Sequence, residues 1–166
     1  IRAFMATSDP VTCEKFVIGH REVLAEIGVK VTSGGNEWIT DPNVCVLAVE
    51  DLNDNNKIVG GARLHIATRG SEIPMEQAIG KVDSRIFLEI DKLIDNGVAE
   101  LCGLWNARSI AGLGIGSNLL VRACIALTST LNLQCLVALV ARHTFRRAIE
   151  KGFRVMDTVG DNGQFV

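Results

Sequence analysis

Three glycines placed just before a long apolar run constrain this chain more than any other feature. They lie at positions 112, 114 and 116, and the apolar run begins at Leu119. Glycine at alternate positions lets the backbone take dihedral angles that other residues avoid, and it leaves room for a ligand. A helix that begins here points its free N–H groups outward, which favours a bound phosphate or pyrophosphate. A tight turn from strand to helix that binds nothing would show the same pattern.

Two common phosphate-binding loops do not fit this stretch. A P-loop ends in Gly-Lys-Ser/Thr, whereas Gly116 is followed by Ser117 and Asn118. A dinucleotide-binding turn has a third glycine where Ser117 stands, and an acidic residue about 20 positions later. No Asp or Glu lies between Glu100 and Glu150, so this second motif is excluded as well.

The composition is that of a globular chain, and we expect one domain over residues 1–166. Apolar residues make up 48% and charged residues 22%, and the net charge of −2 argues against a general nucleic-acid binder. Residues 123–141 carry no charge but are interrupted by polar side chains and flanked by Arg122 and Arg142. They predict a buried helix, a turn near Asn132 and a buried strand, and no membrane span.

The cysteines argue against a metal site. Five are present, none forms a CxxC pair, and most lie in apolar surroundings. We therefore expect no bound zinc, and buried reduced thiols in a cytoplasmic protein.

Hydrophobic periodicity predicts an α/β (α+β) fold with a single mixed, twisted sheet and helices on both faces. A first helix begins at Asp9-Pro10 and ends at Gly28, a loop follows over 29–36, and turn residues join the second and third strands as a hairpin. A second helix runs from the glycine loop to about Leu131, and a third spans 142–151. Strands are predicted at 1–8, 44–49, 58–66, 98–106, 133–140 and 153–159.

A helical insert, residues 69–97, separates the third and fourth strands. Its apolar residues recur at spacings of four and three, which indicates an amphipathic helix, or two helices broken at Gly80. The stripe consists of Met75, Ile79, Val82, Ile86, Ile90 and Leu93.

The stretch from Ala111 to Leu120 resembles the pyrophosphate loop of the GNAT acyltransferases. That family's pattern, Arg/Gln-x-x-Gly-x-Gly/Ala, maps onto Ala111, Gly114 and Gly116, although Ala111 lacks the usual basic or amide side chain. The preceding residues from Leu104 look like the family's fourth strand. The segment Ala148-Ile-Glu-Lys-Gly-Phe153 resembles its Glu-Lys-x-Gly-Phe ending, one residue short.

The resemblance implies the acyl donor and the residues that bind it. The donor would be coenzyme A in its acylated form, acyl-CoA, used as a substrate, or alternatively an acyl carrier protein thioester. A basic helix near the C-terminus would meet the 3′-phosphate of coenzyme A or the carrier protein, or would simply be a solvated face. The implied binding residues are Leu104, Trp105, Asn106, Gly112, Leu113, Gly114, Ile115, Gly116, Ser117, Arg142, Phe145 and Arg146.

Within this superfamily, the insert arrangement is similar to that of acyl-homoserine-lactone synthases and N-acyl amino acid synthases. Those enzymes show Arg-Leu on the third strand, a long helical insertion and Glu-Leu-x-Arg on the fourth strand. Arg63-Leu64 and Glu100-Leu101 match, but Gly103 stands where the second arginine would be.

Acyl transfer to an amine requires a base for the amine, donors for the oxyanion and a proton for the leaving thiolate. Glu100 is the candidate base, because a carboxylate in an apolar strand has a raised pKa. The alternative is a buried salt bridge from Glu100 to Arg63. His65 lies on the same strand face as Arg63 and could serve instead, or could simply be hydrogen-bonded.

Many GNAT enzymes protonate the thiolate with a tyrosine, and this chain has none. Either the thiolate leaves unassisted, or Cys135 or His143 replaces the tyrosine, or the protein does not catalyse transfer. The sequence thus predicts an N-acyltransferase that acylates a small-molecule amine; the alternative is a non-catalytic acyl-thioester-binding module of the same fold. The insert would then cover one sheet edge, or wall a pocket for an acyl chain longer than acetyl.

Overall fold

The computed structural model describes residues 1–26, 28 and 35–165. Five strands within these residues form a single sheet. Strands β1 to β4 pair as antiparallel neighbours in chain order, and β5 pairs with β4 in parallel. The predicted mixed sheet is therefore confirmed. The strands are β1 (Arg2–Met5), β2 (Val44–Asp51), β3 (Lys57–Ile66), β4 (Val98–Asn106) and β5 (Cys135–Val137).

Helices cover both faces of this sheet, as expected. Alternate residues of a strand point to opposite faces, and on β2 they join different clusters: Val46 packs with Phe16 of α1 (Pro10–Glu26), whereas Leu47 packs with Cys124 of α4 (Val121–Thr130). Asp9 caps α1 by accepting the Thr12 backbone N–H at 3.0 Å. Gly28, the predicted end of the first helix, follows the last helical residue Glu26 closely and takes a left-handed φ of 72°. Residues 29–34 of the predicted loop lie outside the described residues.

The insert forms two helices, α2 (Pro74–Ile79) and α3 (Arg85–Ile94), with Gly80 directly after α2. The predicted break at Gly80 is confirmed. Most of the apolar stripe is buried on the α1 face of the sheet, at its β4–β5 end, although Val82 between the helices is exposed. The cluster beneath it contains Ile79, Ile86, Ile90, Val98, Val137 and Val159.

The apolar run at 123–141 folds as a helix, a turn and a strand. Helix α4 ends at Thr130, and Asn132 takes a left-handed φ of 54° in the turn that precedes β5. Within the described part of the chain, no helix combines the length and the apolar character that a membrane crossing needs.

Three C-terminal predictions were wrong in extent or type. Strand β5 is shorter than 133–140, and the last helix, α5 (Phe145–Glu150), begins later than residue 142. Residues 153–159 form no strand, because the chain here packs onto the insert instead of pairing with β5. Gly160 donates its backbone N–H to Asp83 at 2.7 Å and accepts from Arg85 at 3.1 Å, while Val159 is buried beneath the insert.

Candidate active site

A row of polar side chains crosses β3 and β4 on the face shared by α1 and the insert. His65 pairs with Glu100 across the two strands, and Arg63 pairs with Cys102. Directly paired residues of antiparallel strands point to the same face. The three predicted catalytic residues therefore lie together, between the apolar cluster under α1 and the cluster under the insert.

Glu100 is the acidic side chain of this row, and it is deeply buried, with 3% of its surface exposed. Burial raises its pKa to about 7, against the opposing effects of a hydrogen bond from Met75 and of the nearby Arg63 charge. The backbone N–H of Met75 donates to Glu100 Oε2 at 2.6 Å. The ion pairs among the described residues do not include Glu100 with Arg63, so this alternative is not seen.

Arg63 is a buried guanidinium, only 6% exposed, and its Nε has no hydrogen-bond partner. The guanidinium carbon lies 4.6 Å from the centroid of the Trp38 ring, which is a cation–π contact. Gly103 makes this position possible, because a Cβ there would lie 2.8 Å from Arg63 Nε. Gly103 has a left-handed φ of 57° at an irregularity in the β3–β4 pairing, so the residue that replaces the expected arginine forms a bulge.

His65 is buried as a neutral ring. Burial, and then the charge of Arg63, lower its pKa to about 3, and its Nε2 has no hydrogen-bond partner. At neutral pH it therefore binds a proton less readily than Glu100, directly opposite. The hydrogen-bonded alternative is not seen for Nε2 of this histidine.

Sequence reasoning missed an aromatic wall beside Arg63. Trp105 packs edge-on against Phe16 and stacks on His20, with ring centroids at 5.6 and 6.1 Å, and Trp38 packs edge-on against Phe16. Burial lowers the pKa of His20 to about 4, so this ring is neutral too. No sequence pattern indicated that Phe16 of α1 meets Trp38 and Trp105.

Trp105 and Asn106, predicted to bind the donor, lie largely beneath the surface. The Trp105 side chain is buried and its Nε1 has no partner, and Asn106 Oδ1 is also buried without one. Leu104, on the same strand, is exposed. Beside it β4 has an open edge, because β5 pairs only with Val98, Ala99 and Glu100.

The glycine loop connects β4 to α4 through a single turn of π-helix (Ile115–Leu120). Gly112 and Gly114 take left-handed φ values of 81° and 73°, and the Leu119 N–H donates to Gly114 O at 3.0 Å. The N–H groups of a first helical turn have no acceptor within the helix, so those at Ile115 and Gly116 are suited to a phosphate. Leu113 is exposed at the tip of the loop.

Packing also requires the third glycine. A Cβ on Gly116 would collide with the side-chain amide of Asn106. Gly116 thus lets the loop lie directly on the end of β4, which is the purely structural role considered above. Packing and ligand binding are compatible here, since the same close approach brings the loop amides to the end of the strand.

The remaining predicted residues are exposed near the C-terminal helix. Arg142 precedes α5, while Phe145 and Arg146 lie in its first turn. Arg146 forms an ion pair with Glu150 at 3.1 Å, so part of its charge is already compensated within the helix.

Several solved acetyltransferases share this fold. A predicted acetyltransferase from Clostridium acetobutylicum, solved with acetyl-CoA, matches with a TM-score of 0.63 and 11% identity over 96% of this chain and 92% of that one. Glucosamine-6-phosphate N-acetyltransferase from Arabidopsis thaliana matches with a TM-score of 0.55 and 8% identity over 92% and 90%. An aminoglycoside acetyltransferase from an uncultured soil metagenomic sample, in complex with sisomicin, matches with a TM-score of 0.57 and 15% identity. The match covers 99% of this chain and 90% of that one.

At such identities these matches show the fold, which is that of the GNAT acetyltransferases, as the glycine loop implied. No protein-family model matches the chain, and no curated protein sequence matches it. The closer similarity to acyl-homoserine-lactone synthases stays a prediction.

Proposed function

We propose that this chain, which has the fold of the GNAT acetyltransferases, transfers an acyl group from acyl-CoA to the amine of a small molecule. The observation that carries the proposal is that one strand, β4, holds the buried Glu100 and leads through a short 3₁₀ turn (Arg108–Ile110) into the glycine loop. From Glu100 to Asn106 the strand spans roughly 20 Å, at about 3.3 Å per residue. This is a span that an extended thioester arm can bridge, with its pyrophosphate at the loop.

In the proposed reaction the amine nitrogen attacks the thioester carbonyl carbon, a C–N bond forms and the C–S bond breaks. Glu100, with a pKa of about 7, takes the amine proton. The departing thiolate then needs a proton, and the protonated Glu100 can return it directly or through water. Cys135 offers less, because it lies at the start of β5 beside Val98, at the far end of the pairing from the loop.

The acceptor site is the part of the polar row nearest Arg63. A buried guanidinium without a carboxylate partner is costly unless an anion joins it. We therefore propose that the acceptor amine carries a carboxylate, held by Arg63 while Glu100 faces its amino group. Trp38 contacts the guanidinium on one side, with the guanidinium carbon 4.6 Å from the ring centroid.

The donor could instead be a thioester of acyl carrier protein. The exposed Arg142, Arg146 and Arg147 favour an acidic partner, although they would equally suit the 3′-phosphate of coenzyme A. Binding of acyl-CoA and of the acylated carrier protein should be compared in the wild type and in an Arg142→Ala/Arg147→Ala variant. A loss confined to the carrier protein would identify it as the donor.

A non-catalytic acyl-thioester-binding module is the second candidate. It is favoured by the absence of any tyrosine and by Ala111 at the position of the family's basic or amide residue. The deciding experiment measures thiol release from acetyl-CoA with a panel of small amines, alongside calorimetric binding of acetyl-CoA. Amine-dependent release that Glu100→Gln abolishes supports the enzyme, whereas tight binding without release across the panel supports the module.

A further inference from the structure

Besides its apolar packing, the insert makes a hydrogen bond to the sheet at the candidate base itself. Pro74, the first residue of α2, has no N–H, so the first backbone donor of this helix is that of Met75. It donates to Glu100 Oε2 at 2.6 Å, slightly shorter than the roughly 2.7–2.9 Å of a charge-assisted N–H···O hydrogen bond. The insert therefore contacts one oxygen of the carboxylate and leaves Oε1 for other partners.

The neighbouring acidic residue does not compete for this donor. Glu76 accepts the backbone N–H of Ile73, two residues before Met75, at 2.9 Å. The start of α2 thus provides two backbone donors to two carboxylates, one from its own helix and one from β4. The arrangement makes Glu100 a cap of the insert as well as a member of the polar row.

We propose that the Met75 backbone N–H is a positioning group for Glu100, by which the insert orients the base and keeps it ionised for attack. The inference rests on the proposed function. It assigns the insert a role in the reaction that its length and apolar stripe do not reveal.

The charges around Glu100 explain why one hydrogen bond can change the pKa of this carboxyl group. Arg63 and His65 face it from β3, Cys102 lies beside it on β4, and Glu76 approaches from α2. His65 and Cys102 are uncharged at neutral pH, since burial lowers the pKa of the first to about 3 and raises that of the second to about 12. The hydrogen bond from Met75 therefore adds to the Arg63 charge in favouring the carboxylate, while burial and Glu76 oppose it.

A Met75→Pro variant removes the N–H and keeps an apolar residue, and Met75→Leu is its matched control. Without the donor the pKa of Glu100 rises, so the acid limb of kcat/KM moves to higher pH. We expect a shift of about one unit, hence roughly tenfold lower kcat/KM at pH 6 and little change on the alkaline plateau. Met75→Leu should keep the wild-type midpoint. An unchanged midpoint in a folded Met75→Pro protein would overturn the proposal.

A measurement on the wild type decides the matter if Met75→Pro does not fold. In a ¹⁵N-labelled sample titrated from pH 5 to 9, the Met75 amide proton should shift with a midpoint near 7, and Glu100→Gln should abolish this inflection. The Ile73 amide, which donates to Glu76, is the internal control and should be unaffected by Glu100→Gln. A Met75 amide that does not titrate refutes the inference. Absence of acyl transfer in a protein whose Met75 amide does titrate would refute the proposed function instead.

Discussion

His65 and Glu100 face each other directly across the β3–β4 pair, and burial moves their pKa values in opposite directions. The pKa of Glu100 rises to about 7 and that of His65 falls to about 3. Between these values Glu100 is the better proton acceptor, although histidine is ordinarily the stronger base of the two. This inversion separates the two candidates that the sequence left open.

The rate of transfer should therefore rise with pH through a midpoint near 7. Glu100→Gln should lower kcat by about 10²–10⁴-fold, the usual contribution of a general base, and remove the limb. His65→Gln should keep the limb, because its ring is already neutral over this range. Steady-state rates from pH 5 to 9 in the three proteins provide the comparison. A limb that disappears in His65→Gln and persists in Glu100→Gln would reverse the assignment.

Stability should depend on pH through the same carboxyl group. The folded protein holds its Glu100 proton up to about pH 7, whereas the unfolded chain releases it near 4.5. Such a group contributes stability below the unfolded pKa, and this contribution is lost as pH rises through the folded pKa. The loss amounts to about 3 kcal/mol, at about 1.4 kcal/mol per unit of pKa.

Urea denaturation at pH 5 and pH 8 would measure this dependence. Glu100→Gln should remove most of the difference between the two pH values, so that the variant gains on the wild type at pH 8. Equal pH dependence in the two proteins would show that the pKa of Glu100 is not raised, and would weaken its assignment as a base.

Gly114 and Gly70 form a matched pair for testing the loop. Both have left-handed φ, 73° and 84°, and a Cβ at either position meets nothing closer than 4.0 Å. Alanine should therefore cost each site a similar free energy of unfolding, about 1–2 kcal/mol. We expect Gly114→Ala to weaken acetyl-CoA binding at least tenfold by calorimetry, and Gly70→Ala to leave it unchanged. Equal affinities in the two variants would leave the loop with a structural role alone.

The sequence predicted the parts of the structure that local patterns encode. Alternation and turn residues placed β1 to β4, and Gly80 marked the break in the insert. The errors lie where distant segments meet. Residues 153–159 have an apolar composition that suits a strand. However, Val159 is buried against the insert, and the Gly160 backbone N–H donates a hydrogen bond to the Asp83 carboxylate.

The candidate site shows the same division. Strand periodicity placed Arg63 and His65 on one face, but the position of Glu100 opposite His65 comes from the register of β3 and β4. The only partner expected for Glu100 was a side chain, that of Arg63. A backbone N–H leaves no mark in a residue pattern, so Met75 was foreseen only as part of an apolar stripe. The contact of Arg63 with Trp38 likewise depends on packing between segments far apart in the chain.

Arg63 should determine which amines are accepted. Arg63→Met keeps much of the apolar volume but removes the positive charge, and it should raise KM for amines that carry a carboxylate. Matched pairs such as phenylalanine and phenethylamine separate this effect from general damage, since the amine without a carboxylate should lose little. If phenethylamine is the better substrate of the wild type, or both lose equally in the variant, the carboxylate assignment fails.

The packing of the insert's apolar stripe determines which acyl-chain lengths we expect the protein to prefer. Ile79, Ile86 and Ile90 are buried against Val98 and Val137, so the stripe covers the sheet and is already filled by protein side chains. A tryptophan at Ile86 would overpack this cluster and confuse stability with binding. We therefore expect acetyl, hexanoyl and dodecanoyl thioesters to bind the wild type with similar affinity. The gain in binding free energy per added methylene should stay well below the value of about 0.8 kcal/mol that full burial would give.

Ile79→Ala tests the same point in the opposite direction. It opens a cavity at the end of α2, close to Met75 and thus to Glu100, at a cost of about 2–5 kcal/mol in the free energy of unfolding. Because the removed side chain lies one helical turn from Met75, whose N–H contacts the base, we expect the variant to gain affinity for hexanoyl over acetyl, while Ile90→Ala, in the middle of α3, gains none. Calorimetric affinities for the three thioesters, measured on the folded variants, would test this difference. A steep rise with chain length already in the wild type would mean that the insert walls an acyl pocket after all.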